Sequence, residues 1–80
     1  MFYTYVLKSV SHSTLYIGSS ENPEKRLEVE HNKGKVTYTR RRKPWVIVYK
    51  ETFTTRSEAV KREKFLKSGQ GRKYLSSILA

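Results

Sequence analysis

The sequence has no cysteine and no aspartate. Without cysteine there is no disulfide framework, no thiolate zinc site and no thiol nucleophile. Without aspartate, an EF-hand loop or an Asp-rich two-metal cluster is disfavoured. The acids number seven, all of them glutamate, at 21, 24, 28, 30, 51, 58 and 63. Long apolar runs are also missing. The longest, Trp45 to Tyr49, has five residues, whereas a membrane-spanning helix needs about 20. No basic segment precedes an apolar stretch near the start, so no secretory signal is expected. These absences lead us to expect a soluble, cytoplasmic protein with no membrane partner.

Against that background the positive charge stands out. The 80 residues carry 17 Lys and Arg against 7 acids, a net charge of +10. This balance points to an anionic partner, nucleic acid first and an anionic membrane surface second. The length fits one domain over residues 1–80, burying about 60–65% of its unfolded surface. A hydrophobic fraction of 36% and ten aromatics favour a folded chain over a disordered one.

Residues 2–7 are β-branched and aromatic and predict a strand. A polar turn over 9–13 and a second short strand over 14–18 predict an antiparallel hairpin. Asn22-Pro23 reads as a helix start, with Asn as N-cap and Pro at the first helical position. That helix is expected to run to about Asn32. Residues 33–44 are basic and irregular. A third strand over Trp45–Phe53 carries Trp45, Ile47 and Tyr49 on one face and Val46 and Val48 on the other. Apolar residues on both faces predict that it is the central strand. Thr55-Arg56-Ser57-Glu58 fits a capping box, opening a helix from about Arg56 to Lys67 that stops near Gly69 and Gly71. A last amphipathic piece covers 72–79. The order ββαβαα, with one three-stranded antiparallel sheet flanked by helices, is an α+β fold.

Several side chains carry potential chemistry. Tyr5 and Tyr16 sit on the two hairpin strands; read singly, each is a core ring with a wet hydroxyl. In the helix from Arg56, the positions Ala59, Glu63 and Leu66 follow spacings of four and three, which turns Glu63 toward the sheet. A buried carboxylate needs a compensating cation, either a bound metal or an arginine; an internal salt bridge is the plain alternative. Arg26 and His31 lie on the first helix. Lys35 and the run Arg40, Arg41, Arg42, Lys43 form a basic loop suited to a polyanion.

Together these residues resemble the GIY-YIG nuclease superfamily. The likeness is to its small stand-alone bacterial members and to the N-terminal domain of excision-repair incision subunits. Tyr3-Thr4-Tyr5 stands where the first tripeptide belongs and keeps its last tyrosine. Tyr16-Ile17-Gly18 is the second tripeptide intact. Arg26 follows ten residues after Tyr16. His31-Asn32-Lys33-Gly34 is similar to the family's His-Asn-x-Gly segment, and the stretch from Glu58 to Lys64 to the one that carries its metal-binding glutamate. The first Gly and Ile of the family pattern are replaced. Arg26 and His31 are five residues apart where four is usual, which turns the two side chains apart by a further ~100° on a helix.

The resemblance implies a metal-dependent DNA endonuclease, structure-selective and repair-related, using Mg2+ or another divalent cation such as Mn2+. It implies that Glu63 holds the metal, that Arg26 pairs with the scissile phosphate, and that Tyr5 or Tyr16 orients or deprotonates the attacking water. A free phenol, with a pKa near 10, needs positive charge nearby to act as a base. His31 takes the proton onward, while Lys35 and Arg40 to Lys43 hold flanking phosphates of the DNA. Tyr5, Tyr16, Arg26 and Glu63 are therefore expected to converge on one concave patch, with Glu63 on the same side of the sheet as Tyr16. No protein partner is implied. The altered Arg–His spacing favours an alternative, a catalytically impaired nucleic-acid-binding domain of the same fold. A third reading is a basic scaffold or RNA-associated protein.

Overall fold

A computed structural model describes residues 1–12, 14–28 and 44–79. Strand β1 (Phe2–Ser9) and strand β2 (Leu15–Ser20) form the expected hairpin, followed by helix α1 (Pro23–Arg26). Strand β3 (Trp45–Phe53), helix α2 (Arg56–Lys67) and helix α3 (Gly69–Leu79) complete the described residues. The sheet is antiparallel with strand order β2-β1-β3. The central strand is therefore β1, not β3 as expected.

The physical reason lies in a bulge. Val6 pairs with Tyr49, but Leu7 pairs with Ile47, leaving Val48 without a partner in the register. An extra residue reverses side-chain alternation on one strand. Trp45 and Ile47 therefore face one way and Tyr49 the other. The apolar character on both faces of β3 reflects this switch, together with cover on both sides, rather than a central place in the sheet.

Two small cores sit back to back. On one face Tyr5, Leu7 and Trp45 pack with Tyr16, Leu27 and Ile47. On the other, Val6, Leu66 and Leu75 pack with Ile17, Tyr49 and Phe65. Helices thus cover both faces, α1 with Leu27 on the first and α2 with α3 on the second. Buried Thr4 ties α2 to the sheet by donating its hydroxyl to the Ala59 carbonyl at 2.7 Å.

The caps behave as expected. Asn22 Oδ1 accepts from the Lys25 amide at 3.1 Å, with Pro23 at the first helical position. The course of this helix after Glu28 lies outside the described residues. Thr55 Oγ1 accepts from the Glu58 amide and Glu58 Oε1 from the Thr55 amide, both at 3.2 Å, closing the capping box. The two glycines after α2 play a different part from the one expected. The break is at Ser68 alone, whose hydroxyl oxygen accepts from the Gly71 amide at 3.2 Å, and Gly69 to Gly71 form the first turn of α3. A Cβ on Gly71 would meet the Phe65 carbonyl oxygen and the Leu66 backbone. Glycine here lets the two helices touch backbone to backbone.

Opposite this turn, Arg62 donates to Glu51 at 2.7 Å and lies over the rings of Phe65 and Tyr74. The Tyr49 and Tyr74 hydroxyls are 3.2 Å apart. Partial burial, then the hydrogen bond to Tyr74, pushes the Tyr49 phenol up to about 12.

Candidate active site

Antiparallel register decides which motif residues meet. Tyr5 pairs with Gly18 and Leu7 with Tyr16, so Tyr5 and Tyr16 emerge on the same face. The Tyr5 ring lies across Gly18, where a Cβ would stand 2.7 Å from the Tyr5 hydroxyl and 3.2 Å from Cε1 of Tyr16. The tripeptide glycine is thus the seat of the other tripeptide's tyrosine. Tyr5 is fully buried. Tyr16 is half-buried, packs edge-on against Trp45 and lines a cleft.

Ser19, next after the glycine, pairs with Thr4 and so points to the opposite face, toward α2. Its hydroxyl donates to Glu63 Oε1 at 2.8 Å. Its carbonyl accepts from Arg26 Nη1 at 3.1 Å. One residue of the edge strand thus holds the arginine of α1 and the glutamate of α2. Glu63 lies where its helical spacing predicts. Its side chain is turned toward the sheet between buried Ala59 and Leu66, and it remains 21% exposed. Lys67, one turn on, donates to Glu63 Oε2 at 2.8 Å.

The four expected residues do not all share one face. Tyr5 and Tyr16 issue from the α1 side and Glu63 from the α2 side, because β2 alternates between Gly18 and Ser19. Three clefts border β2 among the described residues, and two of them hold expected site residues. One, of about 450 Å³, is lined by Ser19, Glu21, Asn22, Lys25, Arg26 and Arg56 among others. The second, of about 270 Å³, brings Tyr16 from one face together with Lys67 and Arg72 from the other. Glu63 accepts from Ser19, which lines the first cleft, and from Lys67, which lines the second. His31, Lys35, Arg40, Arg41, Arg42 and Lys43 lie outside the described residues.

Ser19, Lys67, Arg56 and Arg72 were not singled out from sequence. Lys67 was legible as an i,i+4 partner of Glu63. A serine after a glycine gave no signal of its own.

Glu63 and Arg26 are thus joined through Ser19 on the second strand of a tyrosine-bearing hairpin. The chain belongs to the GIY-YIG catalytic domain family, whose pattern it matches over residues 1–75. The family is made up of endonucleases, which generally use divalent metal ions. Within that family, the chain is 42% identical to the UPF0213 protein SSP2268 of Staphylococcus saprophyticus over 77 residues, 95% of this chain and 92% of the relative. It is 42% identical to the UPF0213 protein CPE1444 of Clostridium perfringens over 67 residues, 84% of this chain and 71% of the relative. The solution NMR structure of the UPF0213 protein BH0048 from Bacillus halodurans shares the fold. Its TM-score is 0.56 at 29% identity, covering 98% of this chain and 85% of that one. No helix among the described residues is long and apolar enough to cross a membrane.

Proposed function

We propose that residues 1–80 form a divalent-metal-dependent endonuclease that hydrolyses phosphodiester bonds in DNA, with a structure-selective, repair-related substrate. The observation that carries this reading is the meeting of Arg26 and Glu63 on Ser19. It sets a phosphate-binding guanidinium and a carboxylate on one short stretch of β2.

The residues present fit a magnesium-type ion. Glu63 and the Ser19 hydroxyl are oxygen donors, and each Glu63 oxygen keeps a lone pair beyond its one protein partner. Among the described residues no three His, Cys, Asp or Glu cluster, and an ion that keeps most of its waters needs only one carboxylate. When bound, such an ion supplies charge neutralisation at the phosphate and at the leaving oxygen.

The protein groups do the rest. Arg26, with its planar fork of donors, binds and orients the scissile phosphate. Ser19 fixes the direction in which Glu63 presents its carboxylate. Tyr16, half-buried at the cleft beside Lys67 and Arg72, orients the attacking water. Fully buried Tyr5 braces the hairpin under it. Lys35 and the Arg40 to Lys43 run bind flanking phosphates, and His31 receives the released proton.

Glu63→Gln tests the reading. Glutamine keeps an oxygen for Ser19 and loses the ion pair with Lys67, an exposed helical pair worth about 0.3–0.5 kcal/mol. The melting temperature should move by no more than about 2–4 °C. Plasmid nicking in magnesium should fall by at least 10²–10³, the usual effect of removing an electrostatic stabiliser of the transition state. Normal nicking by Glu63→Gln overturns the assignment. A second reading, a domain of the same fold that binds nucleic acid without cleaving it, is favoured by Lys67, which already neutralises Glu63. It predicts no magnesium-dependent nicking by the unaltered protein.

A further inference from the structure

We propose that the edge of β2 left unpaired among the described residues is the track along which one DNA strand lies, with Lys25 and Arg56 gripping its phosphates at one end and Lys67 and Arg72 at the other. The proposal rests on the nuclease reading and adds to it the surface and direction of the substrate.

Three observations carry it. The two clefts lie at opposite ends of the same strand: Ser19 and Ser20 line one, Leu15 to Ile17 the other. The charged residues lining them are cationic apart from Glu21. That acid makes a 3.4 Å pair with Arg56, and both partners are well exposed, so the pair gives way at little cost. Glu63 sits between the clefts, bonded to a residue of each. The six residues of β2 measure about 20 Å, long enough to follow several successive phosphates of one strand. A polyanion fits this surface by charge, and a linear one fits by shape.

The alternative is that the net charge of +10 attracts DNA diffusely, with no track. Two double variants separate these. Arg56→Gln with Arg72→Gln removes one cation from each end of the track. Lys61→Gln with Lys64→Gln removes two exposed cations of α2 that line neither cleft. Each lowers the net charge to the same extent, from +10 to +8. The probe is a short blunt DNA duplex, and the readout is the dependence of log Kobs on log salt by fluorescence anisotropy without divalent metal.

Two lost phosphate contacts should flatten the slope by about 1.8 for the track pair, with little change for the control pair. Arg56→Lys with Arg72→Lys should restore most of the slope, which separates lost contacts from misfolding. Equal slopes for the two glutamine pairs overturn the track. If the unaltered protein still nicks plasmid in that case, the nuclease reading stands without it. If the unaltered protein binds no duplex at all, the track falls, and plasmid nicking decides the nuclease reading separately.

Discussion

Gly18→Ala is a single methyl placed at the joint of the site. The added Cβ would lie 2.7 Å from the Tyr5 hydroxyl, 2.9 Å from Tyr5 Cζ and 3.2 Å from Tyr16 Cε1. Ordinary carbon contacts begin near 3.5 Å. Tyr5 cannot yield easily, because it is fully buried against Leu7 and Trp45. Overpacking of this kind costs about 1–3 kcal/mol. Removing glycine from a strand interior returns about 0.5–1 kcal/mol. The net destabilisation is about 1–2 kcal/mol, a fall in melting temperature of about 5–15 °C for a domain this size. Tyr5→Phe removes the atom closest to the new methyl, so the double variant should be less destabilised than the two single effects added together. A coupling of about 0.5–1 kcal/mol is expected. Thermal melts of the four proteins measure it. If Gly18→Ala is as stable as the parent, or if the effects are additive, Tyr5 does not rest on Gly18 and the account of the hairpin is wrong.

Two further outcomes follow from the opposite face. The Tyr49 phenol is raised above its ordinary value of 10 to about 12, so the folded state holds its proton more tightly than the unfolded chain. That contribution is fully present below pH 10 and is lost as pH rises toward 12; denaturant melts across this window should show the loss, and Tyr49→Phe should reduce it. Gly71→Ala gains helix propensity of about 1 kcal/mol, yet its methyl collides with the backbone of Phe65 and Leu66. A lower melting temperature is expected, and a rise would show that α2 and α3 are not in close contact.

Local signals were legible in the sequence and long-range ones less so. Asn22-Pro23 and the Thr55–Glu58 box worked because a cap is made within four residues. The helical spacing of Glu63 against Ala59 and Leu66 worked for the same reason. The central strand was misplaced because the pattern of β3 was read as unbroken alternation, and the bulge at Val48 is set by pairing with β1, a partner more than 40 residues away in sequence. Gly71 looked like a stop because propensity says nothing about which backbone lies opposite. At the site, the tyrosines, Arg26 and Glu63 were visible through family resemblance. Ser19, which joins two of them, was not, because its role exists only once α1 and α2 flank the same strand.

Among the described residues β2 is paired on one side only, by β1. Such an edge invites a second chain to extend the sheet. Here Lys25, Arg26, Arg56, Lys67 and Arg72 border it, so two molecules meeting edge to edge would bring like charges together. The cations proposed to hold substrate would therefore also oppose the pairing of two β2 edges. A variant neutralised there to weaken DNA binding would lose that protection and become prone to self-association.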